Sequence, residues 1–135
     1  SGRSQMAEAF FKKINRCEGH VAISAGTKPD KKIEENIIKV MSEKNIDMLD
    51  DKKYYPKIID EIPKDIIDNV TYVYTMGCGV KCPTLSIKDI NVTDLGFDDV
   101  KGKSLDEVRL IRDKVRSSII DIIKKIYLKG GKRCI

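Results

Sequence analysis

Two cysteines stand close together in a glycine-containing stretch, Cys78-Gly-Val-Lys-Cys82, directly after an apolar run rich in β-forming residues. A loop at that place would let the two sulfurs reach each other and form a local disulfide. Lys81, between them, would favour the thiolate form of a neighbouring thiol. The pattern therefore predicts a redox pair, with two small residues at the edge of the core as the alternative. A zinc site is not expected, because no second cysteine pair stands at ligand spacing.

A second candidate site opens the sequence, where Ser1-Gly2-Arg3-Ser4 leads directly into a helical pattern. The free N–H groups and the positive dipole end of a helix N-terminus bind anions. An arginine there adds a planar fork of donors for a tetrahedral oxyanion. Gly2, Arg3 and Ser4 are thus candidate anion ligands, and an ordinary frayed terminus with a surface arginine is the alternative.

A third candidate is the acidic pair Asp98 and Asp99, in a loop before the last helix. A carboxylate on a loop above an anion site can act as a general acid. The alternative interpretation is charge at a helix entry, which the helix dipole and water stabilise.

The composition limits the classes of protein that these sites can serve. The 135 residues fit one domain, residues 1–135, with a net charge of +5 and a basic tail at 124–135. Only 6% of the residues are aromatic, which argues against a nucleic-acid platform. No apolar run of about 18 residues predicts a membrane span, and no secretory signal is visible. We expect a cytoplasmic protein without a metal or bound cofactor.

The elements that must hold these sites alternate between helical and strand patterns. Helices are predicted at residues 4–14, 32–44, 56–62, 64–67 and 105–128, and strands at 21–25, 70–75 and 84–87. This alternation predicts an α/β fold with a parallel sheet covered on both faces. Ligands of such folds bind beyond the carboxyl ends of the strands.

Four segments, in order, resemble one known family. Residues 1–11, Ser-Gly-Arg-Ser-Gln-Met-Ala-Glu-Ala-Phe-Phe, resemble the segment that follows the catalytic cysteine of arsenate reductases in the low-molecular-weight protein tyrosine phosphatase superfamily. Residues 24–29 resemble the loop after the second strand of that family. Residues 75–83 resemble its redox-cysteine loop, and residues 102–109 the segment after its general-acid loop.

The resemblance implies a role for each candidate residue. Arg3 matches the arginine of the Cys-x5-Arg oxyanion loop, which includes Gly2, and Ser4 matches the hydroxyl that stabilises the nucleophilic thiolate. Asp99 matches the general acid, although Val100 replaces the proline of the Asp-Pro pair and Asp98 is a substitute. The valine is expected to leave this loop freer.

The resemblance also implies the chemistry of Cys78 and Cys82. A thiolate attacks arsenate, Cys78 attacks the thiol–arsenic adduct and releases arsenite, and Cys82 takes over the disulfide for a thioredoxin-like external dithiol reductant. The alternatives are a low-molecular-weight protein tyrosine phosphatase, and a non-catalytic oxyanion-binding or redox-sensing remnant.

The resemblance implies a three-layer sandwich with a four-stranded parallel sheet. Its pattern places the nucleophilic cysteine four residues before Ser1, after a central first strand that residues 1–135 do not contain. A truncated product, a natural remnant without turnover and a gap filled by another segment are the possible explanations, and we favour the first. Cys134 does not restore the Cys-x5-Arg loop, because joining the end of the sequence to Ser1 leaves three residues, not five, between Cys134 and Arg3. Residues 1–135 alone are therefore expected to have little or no arsenate reductase activity.

Overall fold

The computed structural model describes residues 2–15, 19–26, 33–49, 54, 58–77 and 92–130. Its elements are α1 (Gly2–Ile14), α2 (Glu35–Ser42), a 3₁₀ turn (Ile59–Glu61), α3 (Lys64–Asp68), β1 (Val73–Thr75), β2 (Val92–Asp94) and α4 (Leu105–Gly130). The predicted helices at 4–14, 32–44 and 105–128 are confirmed as α1, α2 and α4. Their observed ends differ from the predicted ones by at most two residues, except that α2 starts three residues later.

The core lies where α4 packs against α1 and α2. Apolar residues recur at helical spacing on each of these helices, so each presents one buried stripe. The stripe of α1 is centred on Met6 and Phe10, that of α2 on Ile37 and Met41, and that of α4 on a row from Val108 to Ile126. This packing fixes the first turn of α1, which carries the candidate anion ligands.

The start of α4 is defined by a reciprocal pair of hydrogen bonds. The backbone N–H of Glu107 donates to Ser104 Oγ, and the backbone N–H of Ser104 donates to the Glu107 carboxylate, each at a distance of 3.2 Å. This capping box satisfies two donors that the first turn of a helix leaves without partners. It fixes the point at which the loop carrying Asp98 and Asp99 enters the helix.

Both short helical pieces predicted around Pro63, at 56–62 and 64–67, contain helical structure. A 3₁₀ turn covers Ile59–Glu61, and α3 covers Lys64–Asp68 directly after the proline. Proline lacks the N–H that a helix interior requires, which explains why the two pieces do not join.

The described residues contain one sheet, in which β1 and β2 pair in parallel with Thr75 opposite Asp94. This confirms an α/β chain with a parallel sheet, and the strand predicted at 70–75 is confirmed over Val73–Thr75. β2 was not predicted, because three residues give too little alternation to recognise. The predicted strand at 84–87 lies outside the described residues, and the four-stranded sheet remains a prediction.

The buried strand predicted at 21–25 is wrong. Residues 21–25 form no ladder, the one bridge nearby joins Gly26 to Ile58, and Val21 is 89% exposed. The backbone N–H of Ser24 donates instead to Glu8 Oε1 at a distance of 3.0 Å, in a buried contact with α1. The Ser24 N–H, which a β-ladder would have paired with a neighbouring strand, is thus bonded to the buried Glu8 carboxylate.

No helix among the described residues is long and apolar enough to cross a membrane.

Candidate oxyanion site

Arg3 joins the first turn of α1 to the ends of both strands. Its Nη1 atom donates hydrogen bonds to the backbone oxygens of Met76, after β1, and Phe97, after β2, each at a distance of 2.6 Å. These partners are separated from Arg3 by 73 and 94 positions in the sequence. The carboxyl ends of two parallel strands thus meet the start of a helix, as expected for a ligand site in an α/β fold.

The remaining donors of Arg3 can serve a ligand. A guanidinium carries five N–H groups, and the two on Nη1 are directed to the Met76 and Phe97 oxygens. Within the described part of the chain, Nε and Nη2 make no hydrogen bond. Together they have the geometry of a fork that can bind two oxygens of a phosphate-like anion.

Gly2 allows the first turn of α1 to pack closely against its neighbours. A Cβ at this position would overlap the Ile37 side chain of α2 and lie 3.2 Å from Val100 Cγ2. The glycine therefore has a packing role besides the anion-binding role predicted for it. Ser4, the third predicted ligand, is half-buried on the same turn.

The loop that carries the acidic pair is anchored on both sides. Phe97 and Val100 are 8% and 3% exposed and belong to the hydrophobic core, whereas Asp98 and Asp99 between them are exposed. Val100, which replaces the proline of the family pattern, thus fixes the loop through burial. The backbone N–H of Lys101 also donates to Asp99 Oδ1 over 3.2 Å.

The pKa of Asp99 lies below its usual value. Partial burial raises it, but the backbone hydrogen bonds from Lys101 and Val100 and the nearby positive charge, including that of Arg3, together outweigh burial. Asp99 is therefore ionised at neutral pH before an anion binds. A bound dianion would raise this pKa, which is the direction that a general acid requires.

Asp94 is a site residue that the sequence analysis missed. Its Oδ1 atom accepts hydrogen bonds from Thr75 Oγ1 at 3.0 Å, the Gly77 N–H at 2.7 Å and the Gly96 N–H at 3.3 Å. These bonds, with the Thr75 hydroxyl first, hold its pKa below the usual value. The Asp-x-Gly spacing was a usable signal for the Gly96 bond, because aspartate commonly accepts from the N–H two residues on.

Gly77 is needed where the chain leaves β1 for the cysteine loop. Its φ is +94°, and a Cβ there would lie 2.5 Å from the Phe97 oxygen. Only glycine adopts this backbone conformation at such a close approach without strain. The residue next to Cys78 is thereby held against the loop that precedes Asp99.

Both predicted relay cysteines, Cys78 and Cys82, lie outside the described residues, so their distance from Arg3 stays a prediction. The structure brings together Gly2, Arg3, Ser4 and the loop of Asp99. Within the described ranges, no cluster of three or more histidine, cysteine or acidic side chains could hold a metal ion. The arrangement offers a cationic fork for a tetrahedral oxyanion, next to an ionised carboxylate.

Comparison with known proteins agrees with this geometry. Residues 1–129 match the family model described as low molecular weight phosphotyrosine protein phosphatase. The chain is 30% identical over 126 residues to the "Putative arsenate reductase" of Halobacterium salinarum, covering 90% of this chain and 83% of that protein. It is 28% identical over 127 residues to the "Glutaredoxin arsenate reductase" of a Synechocystis strain, covering 93% and 91%.

A solved structure described as an arsenate reductase in the phosphate binding state is also similar. It has a TM-score of 0.73 and 28% sequence identity, and the match covers 92% of this chain and 89% of that one.

Proposed function

The chain belongs to the low molecular weight phosphotyrosine protein phosphatase family, and we propose that it acts in that family as an arsenate reductase. The observation that carries the proposal is the anchoring of Arg3 Nη1 by the Met76 and Phe97 oxygens. This anchoring leaves the other face of the guanidinium for an oxyanion. The pair Cys78 and Cys82, which a phosphatase does not need, favours the reductase.

The proposed reaction begins with a thiolate that attacks the arsenic of bound arsenate and displaces one oxygen as water. Arg3 and Gly2 hold the remaining oxygens, and the Ser4 hydroxyl stabilises the thiolate, as the resemblance implies. The thiolate of Cys78 then attacks the sulfur of the adduct. A sulfur–sulfur bond forms, the sulfur–arsenic bond breaks, and its electron pair stays on arsenic, which leaves as arsenite.

Cys82 completes the relay in this proposal. Its thiolate attacks Cys78, releases the first cysteine as a thiolate and leaves a Cys78–Cys82 disulfide. An external dithiol of the thioredoxin or glutaredoxin type then reduces that disulfide and is itself oxidised. The glutaredoxin in the name of the Synechocystis relative supports a thiol reductant of this kind. We place the reaction in the cytoplasm, with no bound cofactor.

Asp99 is the proposed general acid, which gives its proton to the oxygen that leaves arsenic. It is ionised in the anion-free protein, so it must take up a proton as the dianion binds. The loop anchored by Phe97 and Val100 holds it near the charge of Arg3.

A phosphatase is the second candidate, because the matched family is named for that activity. Substitution Cys78→Ser distinguishes the two. In a reductase, C78S abolishes multiple-turnover arsenate reduction, whereas hydrolysis of an aryl phosphate, which requires no relay, is spared. An oxyanion-binding or redox-sensing module without turnover predicts a reversible Cys78–Cys82 disulfide and phosphate binding, with no product from either substrate.

The experiment is arsenate-dependent oxidation of a reduced thioredoxin or glutaredoxin by the protein of the whole reading frame, with arsenite measured directly. Hydrolysis of an aryl phosphate without arsenite formation would contradict the reductase proposal.

A further inference from the structure

Asp94 connects the ends of the two strands through a single carboxylate oxygen. It is the last residue of β2 and stands opposite Thr75, the last residue of β1. Asp94 Oδ1 accepts from Thr75 Oγ1 and from the N–H groups of Gly77 and Gly96. The Leu95 N–H also donates to the backbone oxygen of Thr75 at a distance of 2.8 Å. The Asp94 side chain and this backbone hydrogen bond therefore hold the same two strand ends together.

The donors to Asp94 lie beside the two carbonyl groups that hold Arg3. Met76 is between Thr75 and Gly77, both of which donate to Asp94. Phe97 directly follows Gly96, the third donor. Displacing either peptide would move an oxygen that accepts from Arg3 Nη1.

We propose that Asp94 is a positioning residue for oxyanion binding: its carboxylate fixes the Met76 and Phe97 carbonyl groups, which in turn orient the Arg3 guanidinium toward the anion. The inference rests on the proposed function for the identity of the ligand, an arsenate- or phosphate-like oxyanion. Asp94 itself does not touch the anion. Its negative charge would repel a direct ligand, which is why it acts through neutral carbonyl groups and a cation.

The charge of Asp94 has a purpose in this arrangement. Hydrogen bonds to an ionised acceptor are about twice as strong as those between neutral groups. The carboxylate is exposed, so it can be ionised without the cost of burial and can accept three donors at one atom. An asparagine would retain an oxygen acceptor at the same place and lose the charge.

The experiment measures the affinity of the protein for inorganic phosphate by calorimetry, in the wild type and in D94A, D94N and T75V. D94A is expected to weaken binding about tenfold, the loss typical of a hydrogen-bonded charged group. D94N, which keeps the oxygen acceptor but loses the charge, is expected to recover part of the loss. T75V, which removes one of the three donors, is expected to bind phosphate with an affinity between those of the wild type and D94A. Asp121→Ala, an exposed carboxylate on α4, is the matched control and should bind as the wild type does.

Amide resonances give a readout that needs no ligand. As the pH falls, the Gly77 and Gly96 N–H signals should shift together with one midpoint, and the shift should be absent in D94N. A purely structural role predicts a lower melting temperature with unchanged phosphate affinity in the folded protein.

Two results would overturn the inference. One is wild-type phosphate affinity in D94A, and the other is a D94N variant that folds normally but binds as weakly as D94A. Phosphate binding with the expected effects of D94A and D94N, but without arsenate reduction by the wild type, would refute the proposed function alone.

Discussion

Arg112 of α4 donates a hydrogen bond from Nη1 to Oε1 of Glu43, the C-cap residue directly after α2, at a distance of 2.6 Å. The same nitrogen donates to the Val40 oxygen over 2.9 Å, and the Arg112 residue is only 6% exposed. Arg109, one turn earlier, donates from Nε to both oxygens of Glu43 and from Nη2 to Oε2. One carboxylate therefore holds the end of α2 against the long helix α4.

This contact predicts a pH-dependent part of the stability. Hydrogen bonds from Arg109 and then Arg112 lower the pKa of Glu43 from 4.5 to about 2. Because the folded-state pKa is the lower one, the stabilisation is complete above pH 4.5 and is lost as the pH falls from there toward 2. Urea midpoints of the wild type and Glu43→Gln should differ at pH 7 and converge as the solution is acidified.

The control for this prediction is Glu35→Gln, which changes an exposed carboxylate on the same helix. It should follow the wild type at every pH. A gap between wild type and E43Q that stays constant from pH 7 to pH 3 would show that Glu43 does not act through its charge.

Two glycines in the left-handed region allow a matched test of the close approach at Gly77. Both Gly77, with φ +94°, and Gly96, with φ +66°, would be strained by a side chain. Only at Gly77 would the added Cβ also meet the Phe97 backbone, since at Gly96 nothing lies within 4 Å. Gly77→Ala should therefore lower the free energy of unfolding by about 1–3 kcal/mol more than Gly96→Ala, the usual cost of overpacking.

Chemical denaturation of the two alanine variants measures this difference. Equal losses would mean that the loops of Gly77 and Phe97 separate freely. In that case the position of Gly77 relative to Arg3 would not depend on this contact.

The long helices could be predicted from the sequence because their stripes are repeated many times. The row from Val108 to Ile126 gives five turns of the same signal, and Ser104 with Glu107 marks the start of α4. A strand forms only when a second strand accepts and donates its backbone hydrogen bonds, and the sequence of the first strand does not show where that second strand is. Residues 21–25 are apolar enough for a strand, yet Ser24 donates to Glu8, which no periodicity indicates.

The same limit applies to the site. The type and position of Arg3 could be read from the sequence, through the family pattern and the helix start. Its anchors could not, because Met76 and Phe97 contribute backbone oxygens, which are the same for every residue type. Asp94 was missed for a related reason: its partner Thr75 lies 19 residues away, and only the parallel register brings them together.

The shape of the guanidinium leads to a prediction for Arg3→Lys. An ammonium group keeps the charge but cannot bind two carbonyl oxygens through one nitrogen and present a planar fork to the anion. We expect phosphate affinity to fall by about tenfold or more, as for the loss of a bidentate charged contact. Calorimetry should show no change for Arg116→Lys, an exposed arginine on α4. Wild-type affinity in R3K would mean that charge alone binds the anion.

The ionisation of Asp99 leads to a prediction about the pH dependence of turnover. Its pKa in the anion-free protein is below the usual 3.8, because the backbone hydrogen bonds from Lys101 and Val100 and the nearby positive charge, including that of Arg3, together outweigh partial burial. The pH profile of kcat/KM for arsenate reports the free protein, whereas that of kcat reports the complex. Since a bound dianion disfavours the carboxylate, the limb of kcat that reflects Asp99 should lie at higher pH than that of kcat/KM.

Substitution of the neighbouring acids tests which of them carries this limb. Asp99→Asn should lower kcat by about 10²-fold or more, the usual contribution of a general acid, and remove the limb from both profiles. Asp98→Asn should retain it, because Asp99 is the residue that matches the general acid of the family. Asp121→Asn controls for the loss of an exposed carboxylate. If D98N removes the limb and D99N does not, the acid is Asp98, and the loop held by Phe97 and Val100 presents the other carboxylate to the anion.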